Sequence, residues 1–145
     1  MFSKINSFST RGIDGYRITV EVDVSNGLPS FVMVGYLAEE VREAQERVRT
    51  ALRNAGFCLP PKRITVNLSP AGEENNSAPD WDQWAFIGEL GLDGSIKPLT
   101  GVLSMVYEAR RCGMKRVFLS EENVQEGRAV DGIEIVGVRD VKALT

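Results

Sequence analysis

Apolar and polar residues alternate along the early part of the chain. Tyr16, Ile18, Val20, Val22 and Val24 take every second place between Arg17, Thr19, Glu21 and Asp23. That period of two sets one face of a strand on a core and the other in water. Residues 3–9 offer a partner strand across Arg11-Gly12-Ile13-Asp14-Gly15, and Ser25-Asn26-Gly27 turns the chain towards a short buried strand over Phe31 to Val34. A three-stranded meander is expected to open the fold.

From Ala38 to Ala55 the period changes. Val41, Ala44, Val48, Leu52 and Ala55 recur at helical spacing, while Glu39, Arg42, Glu43, Glu46, Arg47, Arg49 and Arg53 fill the opposite face. Gly56 ends this helix and Pro60-Pro61 prevent its resumption. Arg63 to Leu68 alternates again as a strand that stops at Ser69-Pro70. Residues 71–83 have no period and hold Glu73, Glu74, Asp80 and Asp82 with no base, so an exposed loop is expected there, anchored by Trp81 and by Trp84 beyond it. Phe86 to Leu90 and Ser95 to Leu99 flank Gly91-Leu92-Asp93-Gly94 as a hairpin. A second helix buries Val102, Met105, Val106, Ala109 and Cys112 and stops at Gly113. Val117 to Leu119 is a short strand, Ser120 caps a short helix over 121–129, and Ile133 to Val138 is the last strand.

At 145 residues with 43% apolar content, one domain over 1–145 with one sizeable core is expected. The net charge of −3 gives no general attraction to nucleic acid or anionic lipid, which leaves a local patch as the route to such a partner. No apolar run reaches the roughly 18 residues of a membrane span. A cytoplasmic protein without a membrane partner is expected, with Cys58 and Cys112 as reduced thiols.

Several chemistries are excluded by what the chain lacks. There is no histidine, so Ser-His-Asp and Cys-His catalysis and histidine metal sites are out of reach. No glycine is followed by lysine, so the phosphate-cradling loop of P-loop ATPases is missing. Gly88, Gly91 and Gly94 precede a strand and not a helix, which favours a hairpin over a phosphate site. The loop acids favour solvated charges over an acid/base pair. One positive candidate remains, a basic strip of Arg42, Arg49 and Arg53 on the first helix continued by Lys62 and Arg63. It is read either as an ordinary charged helix face or as a nucleic-acid or subunit contact.

The stretch "AQERVRTALRNAGFCLPPKRITVNLSPA", with "GIDGYRITVEVDVSNGLPSFVMVG" before it and "FIGELGLDGSIKPLTGVL" and "KRVFLSEEN" after it, resembles the N-terminal domain of the Mg-chelatase-like AAA+ ATPases, the group of the competence protein ComM and YifB. The resemblance implies a two-layer α/β (α+β) fold similar to the second domain of ribosomal protein S5 and to the proteolytic domain of Lon. Lon-type proteases pair a serine with a lysine, and the matching lysine position here is Ser104. Neither Ser69 nor Ser77 has a recognisable base other than Lys97. The family has a longer segment between Pro70 and Phe86 that includes an apolar helix; the short loop 71–83 replaces it, so one helix of the family fold is expected to be missing.

The resemblance further implies that ATP and Mg belong to an AAA+ module absent from this chain, so no cofactor is expected within it. Its expected partners are that module or ring-forming subunits, with DNA as a further one, given a family role in DNA branch migration and competence. The alternatives are a degenerate Ser-Lys peptidase and a stand-alone nucleic-acid-binding module. An absent helix should bare the sheet beside Ile64, Val66 and Leu68, to be covered by Trp81 and Trp84 or by a second copy in a homo-oligomer, a dimer.

Overall fold

The computed structural model describes residues 1–36, 38–70 and 83–145. Its elements run β1 (Phe2–Arg11), β2 (Asp14–Ser25), β3 (Ser30–Gly35), α1 (Ala38–Asn54), β4 (Arg63–Pro70), β5 (Trp84–Phe86), β6 (Glu89–Leu90), β7 (Ile96–Lys97), α2 (Val102–Arg111), β8 (Arg116–Ser120), α3 (Val124–Gly127) and β9 (Glu134–Val138). Seven strands form one mixed sheet in the order β3-β4-β2-β1-β5-β8-β9, and β6 and β7 make a separate hairpin. The expected α/β class is present, but the opening meander is not: β1 and β2 form a hairpin, whereas β4 lies between β2 and β3 and β3 pairs parallel with β4.

The register explains which residues are inside. β1 pairs antiparallel with β2, and β2 with β4, so that Val20, Val22 and Val24 stand opposite Leu68, Val66 and Ile64. β3 runs parallel to β4 and sets Phe31 and Met33 beside Ile64 and Val66. These residues share one face, and Val48 of α1 packs on them. The other face carries Phe8 and Ala85, where α2 lies. Its stripe of Val102, Met105, Val106 and Ala109 is buried at helical spacing, as the sequence predicts.

Three expectations need correction. Phe86 is not part of the hairpin but closes β5, which runs parallel between β1 and β8; the hairpin strands shrink to two residues each. The short helix over 121–129 is a 3₁₀ turn at Glu121–Asn123 followed by α3, with the Ser120 hydroxyl accepting from the Glu122 amide as the cap requires. The sheet beside Ile64 and Val66 is not bare: both are buried, among Phe31, Val48 and Leu59. Trp84 sits in β5, tilted against Phe118 at 5.4 Å, while Trp81 and most of the 71–83 loop lie outside the described residues.

Candidate functional site

Helix α2 carries the position where a Lon-type lysine would stand. It starts at Gly101, whose positive φ of 79° suits glycine, and rests directly on β2: a Cβ on Gly15 would lie 2.5 Å from the Ser104 carbonyl oxygen. Ser104 is half-buried and lines an open groove of about 690 Å³ with Ile13 and Asp14 of the β1–β2 turn, Tyr107, Arg110 and Asp131. No lysine lines it.

Arg110, Arg111 and Glu108 of this groove are engaged with their neighbours. Arg110 Nη1 donates to the Asp131 carbonyl at 3.0 Å, and its guanidinium lies 5.2 Å from the centre of the Tyr107 ring. Arg111 grips Glu108 with two hydrogen bonds of 2.9 and 2.7 Å. Those bonds hold the Glu108 carboxyl below its usual range. Burial pushes the Cys112 thiol up, and the neighbouring Glu108 charge adds to that. An ionised carboxylate clamped by arginine is a poor proton acceptor for a serine hydroxyl. Ser104 thus shares the groove with carboxylates and arginines, and no lysine or histidine lines it.

Nor do the other pieces of a Ser-Lys dyad meet. Ser69 lies in β4 opposite Thr19, whereas Lys97 lies in the hairpin opposite Glu89. Lys97 Cε would lie 3.1 Å from a Cβ on Gly91, so its side chain runs along the hairpin turn. Ser77 lies outside the described residues. Among the described residues no group of three or more His, Cys, Asp or Glu could hold a metal ion. No helix among them is long and apolar enough to cross a membrane.

The basic strip is exposed throughout, at Arg42, Arg49, Arg53, Lys62 and Arg63. Because β3 and β4 are parallel, the helix joining them must run back antiparallel, which returns its C-terminal half towards the start of β4. Arg49 and Arg53 thus approach the end where Lys62 and Arg63 enter the sheet. Arg42 stands eleven residues before Arg53 on the helix, about 16 Å away at 1.5 Å per residue. Glu46 is 3.8 Å from Arg49 and offsets part of the charge. The sequence did not reveal the Tyr107, Arg110 and Asp131 arrangement, although Tyr107 and Arg110 at i and i+3 were the available signal.

A mixed sheet with helices on both faces defines an α/β domain, and comparison with known proteins gives its family. Residues 20–79 and 72–123 match the family of subunit ChlI of Mg-chelatase. The chain is 32% identical over 157 positions to an uncharacterized protein of Mycobacterium tuberculosis, covering 95% of this chain and 31% of the relative. YifB of Escherichia coli is 32% identical over 149 positions, 90% of this chain and 29% of YifB. Competence protein ComM of Haemophilus influenzae is 32% identical over 145 positions, 87% of this chain and 28% of ComM. The chain belongs to this Mg-chelatase-like family and spans about three tenths of the length of the relatives it matches. A shorter stretch of 56 residues is 39% identical to Lon protease 2 of Bacillus subtilis.

These alignments also locate a difference in length. The ComM alignment runs over 145 positions yet uses 87% of a 145-residue chain, about 126 residues, which leaves about 19 positions that belong to ComM alone. The YifB alignment, 149 positions on 90% of the chain, leaves about the same number. The family match comes in two stretches that overlap at residues 72–79.

Proposed function

We propose that this chain is a non-catalytic accessory domain of a Mg-chelatase-like ATPase, and that it guides DNA to the ATPase along its basic edge. The observation that carries the reading is the convergence of Arg49 and Arg53 with Lys62 and Arg63 at one exposed end of α1, where one close carboxylate, Glu46, opposes them. Phosphate backbones reward such clustering through counterion release even when the protein's total charge is slightly negative. ATP and Mg belong, in this reading, to an AAA+ module carried elsewhere in the full-length protein. One relative is named competence protein ComM, which agrees with the family role in competence that the DNA-guiding reading starts from.

Titration of single-stranded and branched DNA at low salt tests the proposal. Arg49→Glu and Arg53→Glu should each weaken binding several-fold and lower the slope of log affinity against log salt by about one per lost phosphate contact. Affinities unchanged by both substitutions would move the strip to subunit contacts. The rival peptidase reading is separated by a serine-reactive fluorophosphonate probe: no labelling is expected, and labelling abolished by one serine substitution would reverse the assignment.

A further inference from the structure

The end of α1 that carries Arg53 is joined by a lysine far away in sequence. After β9 the chain makes a 3₁₀ turn over Val141–Leu144, capped by Asp140 Oδ1, which accepts from the Ala143 amide at 3.0 Å. This turn is tied to the β6–β7 hairpin: the Val141 amide donates to the Gly94 carbonyl at 3.0 Å, and the Ile96 amide to the Arg139 carbonyl at 2.9 Å. The hairpin in turn rests on α1, through Asn54 Nδ2 donating to the Leu92 carbonyl at 2.7 Å and Arg47 with Glu89 at 4.0 Å. Lys142 is thereby carried to the C-terminal end of α1. A Cβ on Gly56, just past that end, would lie 3.7 Å from Lys142 Cε and 3.9 Å from its Nζ. A cation at such a place ordinarily serves the last carbonyls of the helix. Here those of Ala51, Leu52 and Arg53 already accept from the amides of Ala55, Phe57 and Gly56, at 2.9, 3.0 and 3.0 Å. The exposed Lys142 ammonium keeps its donors for another acceptor.

We propose that Lys142 is a phosphate contact, and that a DNA backbone crosses the C-terminal end of α1 between Lys142 and the group of Arg53, Lys62 and Arg63 instead of following the helix back to Arg42. This rests on the DNA-guiding reading above and names the path at the same site. Charge favours the crossing. Among the described residues, none of Arg53, Lys62, Arg63 and Lys142 forms an ion pair. Arg42, about 16 Å from Arg53, shares the first half of α1 with Glu39, Glu40, Glu43 and Glu46, which repel a polyanion. No acid follows Glu46 until Glu73, so the last turns of α1 and the loop into β4 oppose phosphate with no carboxylate of their own. Asp93 of the hairpin turn is an acid on this side, and its Oδ1 is occupied by the two bonds from Ser95. A lysine's compact ammonium on a flexible stem suits a phosphate oxygen without reading a base, as a guiding surface requires.

The test titrates the whole chain with duplex and single-stranded DNA over a range of salt. Lys142→Gln should weaken binding several-fold and lower the slope of log affinity against log salt by about 0.9 on duplex and about 0.7 on a single strand. Lys142→Arg keeps the charge and should restore both. Arg42→Gln should change neither. A second readout is Cys58, exposed in the loop between α1 and β4. DNA laid across the end of α1 should slow its alkylation by iodoacetamide, and Cys112, half-buried with its thiol pushed up by burial, reacts too slowly to obscure this. Native affinity and slope in Lys142→Gln, with Arg53→Glu still weakening binding, would overturn this path and leave the DNA reading standing. An equal loss in Arg42→Gln, or unprotected Cys58 at saturating DNA, would also overturn it by returning the DNA to the side of the helix. If neither Arg49→Glu nor Arg53→Glu weakens binding, the DNA reading itself falls and this path with it.

Discussion

The two halves of this sheet are packed to different standards. Around α2, Ala85, Val102, Val106 and Val117 have no exposure and Ala109 and Leu119 have 1%, within a cluster of twelve buried residues. Around α1, the corresponding cluster has three buried residues, Phe31, Ile64 and Val66, surrounded by half-buried Val20, Val22, Val24, Met33 and Leu68. β4 and β8 each bring three apolar residues, Ile64, Val66 and Leu68 against Val117, Phe118 and Leu119, so their number alone does not make the difference. Coverage does. α2 sits across the middle of its face on β1 and β2, with α3 behind it, whereas α1 sits over the β3 edge, so that among the described residues it does not reach β1 and β5.

Core truncations should separate the halves most strongly. Leu119→Ala leaves a cavity in the dense cluster and should cost about 2–5 kcal/mol, read from urea unfolding. Gly15→Ala strikes the seam between the halves, because its Cβ would press the Ser104 carbonyl and lift α2 from β2. Overpacking of that kind costs about 1–3 kcal/mol. Val66→Ala, on the looser side, should cost about 1 kcal/mol and less than Val117→Ala, the same change made at full burial. Equal losses at Val66 and Val117 would erase the contrast.

Much of this was legible from sequence because the signals are local. The alternation of β2, the stripes of α1 and α2, the Ser120 cap and the stops at Gly56 and Gly113, both with positive φ, need no knowledge of distant residues. Phe86 was misplaced because a three-residue parallel strand has no period of its own; it is fixed by Ser7 Oγ donating to its carbonyl at 2.8 Å and by Phe118 stacking. The cover over Ile64 and Val66 was missed because strand order is not written in the chain: β4 lies between β2 and β3, which brings Phe31 and Val48 onto that face. At the site, the missing lysine at Ser104 was legible residue by residue. The clamp of Arg111 on Glu108 was within reach of i,i+3 spacing, while Arg110 on Asp131 depended on the fold.

The smallest expected effect lies at the hairpin that touches both halves. Its turn rests on α1, where a Cβ on Gly94 would come 2.9 Å from the Ala55 Cβ, and its β7 side bridges Ser95 to Asp140 after β9. Asp93 Oδ1 accepts from the Ser95 hydroxyl at 2.6 Å and from the Ser95 amide at 3.0 Å. Those bonds, ahead of the Lys97 charge, lower its carboxyl below the ordinary 3.8. A carboxyl whose folded pKa is depressed contributes stability that is fully present above its unfolded pKa and is lost as pH falls through the folded value. The stability difference between the native chain and Asp93→Asn should therefore be constant near neutral pH and shrink as pH drops below about 3.8. Ser95→Ala should remove most of that pH dependence, since it deletes the larger of the two bonds. A difference that stays flat into acid would show that the turn is held by Gly94 and Asn54 alone, and that the hairpin couples the halves through packing instead of charge.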